Sequence, residues 1–218
     1  MTALADALPA LGLRVVAGDL ELRGVTDDLV VELGALAARG VHDPARMPFS
    51  FPWTDTAPED FLRSFAQYHW RCRADFSPAA WDLNLAVLHR GTLVGVQGVG
   101  TKDFLVTRTG ETGSWLGLEH QGRGLGTTMR QVMCAFLFDH VGFTEITSGA
   151  FTDNPASLTV SAKVGYVANG TVRWSRRGEL AEMTQLLLTP EAFRRGPQAL
   201  EVEGVAAFRR FIGLDAQE

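Results

Sequence analysis

The sequence predicts an α/β protein in which helices flank one central, mixed and mostly antiparallel sheet. Along the 218 residues, the spacing of apolar residues changes repeatedly from three or four, which is typical of helices, to two, which is typical of strands. Two helices come first, then several strands joined by short turns, then strands that alternate with helices. This order of elements indicates a mixed sheet rather than a doubly wound parallel sheet.

The N-terminal part is predicted to hold short strands and two helices. Residues Leu11–Val16 and Asp19–Gly24 are predicted to form one or two strands. Thr26 provides a helix cap ahead of apolar residues spaced three or four apart. Thr56 and Glu59 have capping-box spacing, with Pro58 in the first turn. The second helix is predicted to carry on one face Phe61, Leu62, Phe65, Tyr68 and Cys72.

The middle of the chain is predicted to form an antiparallel meander. Residues Trp81–Val87 alternate between apolar and polar or small side chains, which indicates a half-buried strand. Leu93–Val99 follows after the turn at Arg90-Gly91 as a second strand. Phe104–Arg108 is either a third strand or a continuation of the second after a bend. Ser114–Leu118 is predicted as the next strand.

The C-terminal half alternates strands with helices. A glycine-rich segment leads into a strongly amphipathic helix over Leu125–His140, and the final segment, Val202–Leu214, is either a strand followed by a helix or a helix alone. Between them we predict a strand, a short helix and two strands, at Glu145–Phe151, Pro155–Val164, Val167–Ser175 and Glu182–Leu188.

Composition and charge narrow the class of protein. An apolar share of 46% and a charged share of 21% are typical of a globular protein. The net charge of -5 argues against nucleic-acid binding and suits a cationic substrate such as an amine. Cys72 and Cys134 form no disulfide framework, which predicts buried thiols in a reducing compartment. Residues 1–13 lack a signal-peptide pattern and no apolar run approaches membrane-spanning length, so we expect a cytoplasmic protein without a membrane partner.

The segment Gln121-Gly-Arg-Gly-Leu-Gly126 is the most informative part of the sequence. It leads directly into the amphipathic helix, whose first amide N–H groups are unpaired and carry partial positive charge. Glycines let the backbone approach a ligand closely, so the segment is predicted to bind a pyrophosphate. A P-loop would need a lysine that is absent here, and a dinucleotide-binding fold would need a different glycine spacing in an early βαβ unit.

Three sequence blocks carry a resemblance to a known family. Gln121-x-x-Gly124-x-Gly126 resembles the Q/R-x-x-G-x-G/A signature of the GCN5-related N-acetyltransferase (GNAT) superfamily. Asn154-Pro-Ala-Ser157 with Lys163-Val-Gly-Tyr166, and Glu111-Thr-Gly-Ser-Trp115 upstream, are similar to motifs of its RimJ/RimL-type branch. The resemblance covers residues 81–188 of a single predicted domain over 1–218, with a C-terminal extension over 190–218.

The resemblance implies an N-acetyltransferase. Acetyl-CoA would be the co-substrate, and a primary amine on a small molecule or a protein N-terminus would attack the thioester directly in a ternary complex. A catalytically silent acyl-CoA-binding module, acting as a sensor or interaction protein, is the alternative. No metal is implied, because the histidines show no metal-ligand spacing. A homodimer is compatible with both functions.

The resemblance also implies which residues bind the coenzyme. The backbone N–H groups from Gln121 to Thr127 would hold the pyrophosphate, with help from the Arg123 charge and the Thr127 hydroxyl. A backbone N–H on the strand Trp115–Leu118, expected at Leu118, would polarise the thioester carbonyl. Asn154 would cap a helix, approach the pantetheine arm, or do both. The complete set of coenzyme-binding residues is Leu118, Gln121, Gly122, Arg123, Gly124, Leu125, Gly126, Thr127, Asn154 and Ser157.

The catalytic acid, by resemblance, is Ser157, which would protonate the leaving sulfur. The sequence departs from the branch nineteen residues later, where Arg176 stands in place of a glutamate. Glu111 is the preferred base, and the other candidates are Glu119, His120 and Glu182. Tyr166 is predicted to pack in the core.

An aromatic, proline-containing loop precedes the second helix. Its residues Phe49, Phe51 and Trp53 are predicted either to line an apolar or cation-binding acceptor pocket or to cover the edge of the core.

Overall fold

The computed structural model describes residues 4–215, so the two ends of the predicted domain, 1–3 and 216–218, lie outside the described residues. The strands are β1 (Arg14–Ala17), β2 (Leu20–Gly24), β3 (Ala80–His89), β4 (Thr92–Lys102), β5 (Glu111–Leu116), β6 (Ile146–Phe151), β7 (Val167–Arg176), β8 (Glu179–Leu188) and β9 (Glu201–Glu203). The helices are α1 (Leu4–Ala7), α2 (Asp27–Ala38), α3 (Pro58–Ala74), α4 (Phe104–Thr107), α5 (Leu125–Phe136), α6 (Pro155–Val164) and α7 (Val205–Phe211).

The strands form one nine-stranded sheet in the order β7-β8-β6-β5-β4-β3-β2-β1-β9. Neighbouring strands of the sheet are antiparallel except for β5 and β6, which are parallel. The prediction of a mixed, mostly antiparallel sheet flanked by helices is therefore confirmed.

The parallel pair separates soon after it begins. Strand β5 pairs with β6 only at Glu111 with Thr147 and at Thr112 with Ser148. Beyond these two pairs, β5 and β6 do not pair with each other, although each stays paired with its outer neighbour, β4 or β8. The two strands therefore enclose a wedge-shaped opening, called the wedge below. Strand β5 leads from this opening towards α5, and β6 leads towards α6. The wedge therefore lies between the N-termini of two helices.

The sheet separates two apolar cores, and the alternation in β3 shows how. Trp81, Leu83, Leu85 and Val87 face the core beneath α5 and α7, whereas Ala86 and Leu88 face the core beneath α2 and α3. This period of two confirms the strand predicted at Trp81–Val87, because alternate side chains point to opposite faces of a sheet.

Two predicted helix starts had different outcomes. The Thr26 side chain accepts a hydrogen bond from the Leu29 N–H, which confirms the first cap. The capping box at Thr56 and Glu59 is wrong, because α3 begins at Pro58 after Ala57 without a side-chain cap. The Thr56 hydroxyl donates instead to the Trp53 carbonyl in the preceding 3-10 turn.

Two predicted strand boundaries also need correction. Residues Phe104–Thr107 form the short helix α4, bracketed by Asp103 and Arg108 at positive φ, and Phe104 is fully buried. The chain turns here because β4 ends at Lys102 and the sheet has no room for another strand beside it. Strand β5 ends at Leu116, and Leu118 begins a 3-10 turn.

The C-terminal segment is a strand followed by a helix, the first of the two predicted alternatives. Strand β9 pairs with β1 at the edge of the sheet. In α7, Phe208 is fully buried and its ring contacts those of Phe76 and Trp81. Within residues 4–215, none of the helices has the combination of length and apolarity that crossing a lipid bilayer requires.

Candidate active site

The glycine-rich segment presents a continuous run of backbone N–H donors. Among residues 4–215, no acceptor pairs with the N–H groups of residues 122–126, which lie directly before and at the start of α5. Gly122 and Gly124 have φ of 72° and 81°, and a Cβ at either position would meet no protein atom within 4 Å. The positive φ favours glycine there. The segment therefore leaves five backbone donors without a protein acceptor at the positive end of a helix.

Gln121 fixes the position of this segment rather than offering a free donor. Its side-chain amide donates to the carbonyls of Val41 and Leu116, at 2.7 and 2.8 Å. Its backbone N–H donates to the Leu118 carbonyl. At the other end, the Thr127 N–H donates to the Gly124 carbonyl at 3.0 Å. The predicted run of backbone donors from Gln121 to Thr127 is therefore shortened to residues 122–126.

The two side chains predicted to assist the donors are accessible. Arg123 is exposed and forms no salt bridge within residues 4–215. The Thr127 side chain is partly exposed on the first turn of α5. Both lie next to the five donors in the chain, as predicted.

Leu118 cannot serve as the expected strand donor in this structure. Its N–H already donates to the Gly40 carbonyl at 3.0 Å. The Gly117 N–H donates to Val94 on β4, and N–H groups of successive strand residues point in opposite directions. The N–H of Leu116 therefore points away from β4, into the wedge. Leu116 replaces Leu118 as the candidate donor, which is a correction of the prediction.

On the other side of the wedge, Asn154 directly precedes α6 and Ser157 lies in its first turn. The Asn154 side-chain oxygen accepts a hydrogen bond from the Ser157 N–H at 3.2 Å, so Asn154 is the helix cap. The Ser157 side chain is half-buried, and its hydroxyl has no hydrogen-bond partner among residues 4–215. The cap uses the backbone of Ser157, and it leaves that hydroxyl and the Asn154 amide group for a ligand.

Tyr166 packs in the core, as predicted. Its hydroxyl lies 2.9 Å from the Thr112 hydroxyl and 3.5 Å from the Cys134 sulfur. Burial raises the pKa of this phenol well above its usual value. A buried hydroxyl with these partners is a structural group, and Ser157 remains the candidate acid.

Glu111 lies on the opposite face of β5 from Thr112. One carboxylate oxygen is 3.5 Å from the point that a Cβ on Gly149 would occupy, so the side chain extends over the start of β6. No hydrogen bond or salt bridge to this carboxylate occurs within residues 4–215. Desolvation by nearby protein atoms raises the pKa of the Glu111 carboxyl, although the residue as a whole is exposed to solvent. An unpaired carboxylate with a raised pKa is suited to accept a proton.

The other candidate bases have different surroundings. Glu119 forms a salt bridge with Arg39 at 2.8 Å, and the hydrogen bond from Arg39 lowers the pKa of its carboxyl. His120 lies 3.5 Å from Glu119 and is half-buried beside the glycine-rich segment. Glu182 is exposed on β8. Glu111 is therefore the candidate that stands beside the wedge without a partner.

The aromatic loop contributes two of its three predicted residues. Phe49 and Trp53 are half-buried against the core beneath α2 and α3, with ring centroids 5.2 Å apart. The Trp53 ring also lies 5.7 Å from that of Trp115 on β5. Phe51 is 74% exposed and does not pack with these rings, so its place in an acceptor pocket stays a prediction. Its position between a bend and a proline turns it outwards while its two neighbours pack inwards.

The β7–β8 hairpin holds this loop in place. Trp174 donates from its indole N–H to the Ser50 carbonyl at 3.2 Å. Arg177 donates to both carboxylate oxygens of Asp55, at 2.6 and 2.8 Å, and to the Pro44 carbonyl at 3.0 Å. The loop over the α2–α3 side of the sheet is therefore closed by contacts from the far edge of that sheet.

Arg176 occupies the place of the branch's glutamate and has a structural role. Its guanidinium donates to both carboxylate oxygens of Asp153, at 2.8 and 2.7 Å, and lies 4.4 Å from the centre of the Phe151 ring. It also donates to the Met47 carbonyl at 3.4 Å. Arg176, which stands where the branch has a glutamate, therefore helps to hold the aromatic loop.

Two residues near the site were missed by sequence reasoning. Arg130 is only 5% exposed on α5, and its interruption of an apolar helix face was the available signal. Asp82 lies on the same sheet face as Glu111 and extends over Gly100, whose Cβ would meet its carboxylate at 2.5 Å. Burial, and secondarily Asp75, raise the pKa of the Asp82 carboxyl. Within residues 4–215, no group of three or more His, Cys, Asp or Glu side chains is placed to hold a metal ion.

Comparison with protein families agrees with this geometry. Residues 19–167 match the sequence model of the acetyltransferase (GNAT) domain, which is more than half of the chain. The chain belongs to the GNAT acetyltransferase family. This GNAT acetyltransferase is thus an acyltransferase enzyme, and the predicted membership is confirmed.

Solved structures share the fold of this GNAT acetyltransferase. RimL, the ribosomal L7/L12 α-N-protein acetyltransferase, in complex with coenzyme A is 16% identical, with a TM-score of 0.64 over 81% of this chain and 97% of RimL. Mycobacterium smegmatis RimJ in complex with CoA-disulfide is 19% identical, with a TM-score of 0.66 over 83% and 86%. The microcin C7 self-immunity acetyltransferase MccE, in complex with acetyl-CoA and AMP, is 16% identical, with a TM-score of 0.63 over 79% and 93%. The first two are consistent with the predicted resemblance to the RimJ/RimL-type branch.

Proposed function

We propose that this GNAT acetyltransferase transfers an acetyl group from acetyl-CoA to a primary amine, by direct attack of the amine in a ternary complex. The observation that carries the proposal is the run of five unpaired N–H groups at residues 122–126, beside the open wedge between β5 and β6. Such a run at a helix N-terminus is a good site for a diphosphate. RimL, RimJ and MccE hold coenzyme A or acetyl-CoA in their structures, which supports the same ligand here.

The wedge offers polar groups for the rest of the donor. With the diphosphate at residues 122–126, the Arg123 charge and the Thr127 hydroxyl assist on the outside. The pantetheine arm enters the wedge towards the Asn154 amide and the Ser157 hydroxyl. The Leu116 N–H lies on the opposite wall and is directed at the thioester carbonyl. These groups hold the donor from both strands that border the opening.

The reaction needs no covalent enzyme intermediate. The amine nitrogen attacks the thioester carbon, and the negative charge that develops on the carbonyl oxygen is stabilised by the Leu116 N–H. The carbon–sulfur bond then breaks, and the sulfur takes its electron pair as a thiolate. Glu111 accepts the proton that the amine loses, directly or through water, and Ser157 supplies the proton that the thiolate gains. Solvent exchange returns a proton to Ser157 and removes one from Glu111, so the protons balance.

The acceptor is expected on the face of the sheet that carries Glu111. That face also carries the Asp82 carboxylate and the half-buried rings of Phe49, Trp53 and Trp115. Negative charge attracts an ammonium ion, and aromatic faces favour cations. We therefore propose a primary amine that arrives as an ammonium ion, on a small molecule or a protein N-terminus. It releases one proton to solvent through Glu111 before its nitrogen attacks, and the proton lost after the attack leaves by the same route. A homodimeric state stays a prediction.

A catalytically silent acyl-CoA-binding module remains the second candidate because of one observation. Arg176 replaces the branch's glutamate and is fully engaged with Asp153, so no base is available at that position. A sensor would keep the pyrophosphate site and lose the transfer. Both functions therefore predict that the protein binds acetyl-CoA, but only the acetyltransferase predicts turnover.

A ligand screen followed by an activity assay tests both. Thermal unfolding is measured with coenzyme A, acetyl-CoA, NAD and ATP, and we expect stabilisation by the two CoA species alone. Release of free thiol from acetyl-CoA is then followed with a panel of primary amines, including small amines and short peptides with free N-termini. Stabilisation by NAD or ATP alone would contradict the site. Tight acetyl-CoA binding without thiol release for any amine would favour the sensor.

A further inference from the structure

Arg130 is a buried cation without a carboxylate partner. Its guanidinium donates to the Ser161 hydroxyl at 3.0 Å and to the Ser114 hydroxyl at 3.1 Å. It is 5% exposed, and it forms no salt bridge within residues 4–215. Its Nε is also buried without a hydrogen-bond partner in that range. The two serine hydroxyls are neutral acceptors, so the positive charge is not balanced by them.

The neighbouring titratable groups do not supply the missing negative charge. The Tyr166 ring lies 5.9 Å from the guanidinium, and burial keeps its phenol protonated by raising the pKa. Burial also raises the pKa of the Cys134 thiol to about 11, so this group is neutral as well. Several other arginines, such as Arg195 with Asp139, are paired with carboxylates at the surface, and those that are not paired are less buried than Arg130. A buried unpaired charge is costly, which indicates that Arg130 meets an anion in a working state of the protein.

The location of Arg130 identifies that anion. Ser114 belongs to the part of β5 that borders the wedge beyond its last pair with β6, Thr112 with Ser148. Ser161 follows Ser157 by four residues on α6, so both lie on one helix face, about 6 Å apart along the axis. The guanidinium thus connects β5, one wall of the wedge, with α6, the helix that follows the other wall. Its partner Ser161 lies about one helical turn from Ser157, the residue assigned to protonate the leaving sulfur.

We propose that Arg130 is a positioning residue whose charge stabilises the coenzyme A thiolate as it leaves. When the carbon–sulfur bond breaks, the electron pair moves to sulfur, and the buried guanidinium compensates the new negative charge through the low-dielectric interior. Its hydrogen bonds to Ser114 and Ser161 hold the two walls of the wedge around that sulfur. This inference rests on the proposed function, because it requires the thioester to lie in the wedge.

The thiol of bound coenzyme A reports the effect directly. The ultraviolet absorbance of its thiolate is followed against pH in the wild-type protein, with the complex of desulfo-coenzyme A as the blank for protein groups. We expect the thiol pKa to be about one unit higher in Arg130→Met than in the wild type, a tenfold change in the thiolate-to-thiol ratio. Arg130→Lys should restore part of the difference, and kcat should fall at least about tenfold in Arg130→Met with a smaller change in KM for acetyl-CoA.

Matched variants separate charge from packing. Ser161→Ala removes one hydrogen bond of Arg130 but keeps the cation, so the pKa of its bound thiol should lie closer to the wild-type value than to that of Arg130→Met. Arg130→Gln keeps amide donors without the charge, and it takes the place of Arg130→Met if that variant does not fold. A folded neutral variant that binds coenzyme A with an unchanged thiol pKa would overturn the inference alone. Failure of the wild-type protein to bind coenzyme A would overturn the proposed function and this inference together.

Discussion

At the scale of single residues, neighbours in β5 contribute to different parts of the site. Thr112 and Ser114 face α5 and the buried polar groups of Tyr166 and Arg130. Glu111 and Trp115 face the aromatic loop on the other side. Because alternate strand residues point to opposite faces, β5 presents different side chains to the proposed sites of the acetyl donor and of the amine acceptor.

The carboxylate of Glu111 sets the first prediction. Glu111→Gln should lower turnover at neutral pH by about a hundredfold, because the amide cannot take the amine proton. Since desolvation raises the pKa of this carboxyl, the wild-type rate should fall as the pH drops through a value above the ordinary one of about 4.3. A kcat/KM profile against pH measures this acid limb. The limb should persist in Glu182→Gln and vanish in Glu111→Gln, and its persistence in both would assign it to another group.

The second prediction concerns the hydroxyl of Ser157. Ser157→Ala should lower kcat by about a hundredfold and leave the affinity for coenzyme A nearly unchanged, because general acid catalysis acts on the chemical step. Helix α6 should stay intact, since the Asn154 cap binds the backbone N–H of this residue. Steady-state kinetics and direct binding measurements separate the two effects. Thr159→Ala, on an exposed position of the same helix, is the control. A large loss of binding with unchanged kcat would make Ser157 a binding residue.

At the scale of elements, the start of α5 combines a helix dipole with donors that the chain itself leaves unpaired. Gly124→Asp should weaken coenzyme A binding at least about a hundredfold, because it places a negative side chain where phosphate is expected. Gly142→Asp is a matched control, since Gly142 has φ of 83° and open space around its Cβ but follows the C-terminal turn beyond α5. Isothermal titration of folded variants measures both affinities. Equal affinities would place the phosphates elsewhere.

The contact between the β7–β8 hairpin and the aromatic loop gives a second prediction at this scale. Arg177 has φ of 52°, a conformation that asparagine tolerates, so Arg177→Asn should keep the hairpin turn and lose the bonds to Asp55 and Pro44. Hydrogen exchange over residues 42–55 should become faster, and KM for the amine should rise about threefold to tenfold, with little change in KM for acetyl-CoA.

Arg195→Asn provides the control for that change. It removes another two-point pair with a carboxylate, to Asp139, at a different place on the surface. Surface ion pairs stabilise a protein by about 1 kcal/mol or less, so both variants should unfold at nearly the wild-type temperature. Equal exchange rates over residues 42–55 in both variants would show that Arg177 does not hold the loop.

At the scale of the whole molecule, the sheet separates its two larger apolar cores, and the one beneath α2 and α3 has a titratable ring at its border. His69 on α3 is 4% exposed and its ring lies 4.8 Å from that of Phe65. Burial lowers the pKa of His69 to about 4. The unfolded chain therefore binds a proton between about pH 6.5 and 4 that the folded chain does not bind.

This difference predicts how stability depends on pH. The contribution of His69 is complete above about pH 6.5 and is lost as the pH falls to about 4, with a total of about 3 kcal/mol in the free energy of unfolding. Urea unfolding of the wild type and of His69→Gln at pH 7.5 and pH 5 measures it. The variant should lose less stability between these two values, whereas Gln67→Ala, on an exposed position of α3, should follow the wild type. Parallel losses in all three proteins would contradict the prediction.

Much of this fold follows from local patterns in the sequence. The period of two at Trp81–Val87 and the helix start at Thr26 depend on neighbouring residues alone, and both predictions are confirmed. The glycine spacing at 121–126 likewise predicted a turn before a helix, because glycine is favoured at positive φ. Local patterns failed at Phe104, where an apolar run typical of a strand folds as a helix because its ring fills the core.

What the sequence alone determined is the family, the order of most elements and the glycine-rich turn before α5, since each depends on residues close together along the chain. The tertiary structure decided which groups in that region are already occupied. The Gly40 carbonyl accepts a hydrogen bond from the Leu118 N–H, and Arg130 is buried between two serines from separate elements. Whether a backbone N–H is free and whether a charge is buried depend on atoms from distant parts of the chain that the sheet brings together. The spacing of residues within one segment therefore does not predict either property.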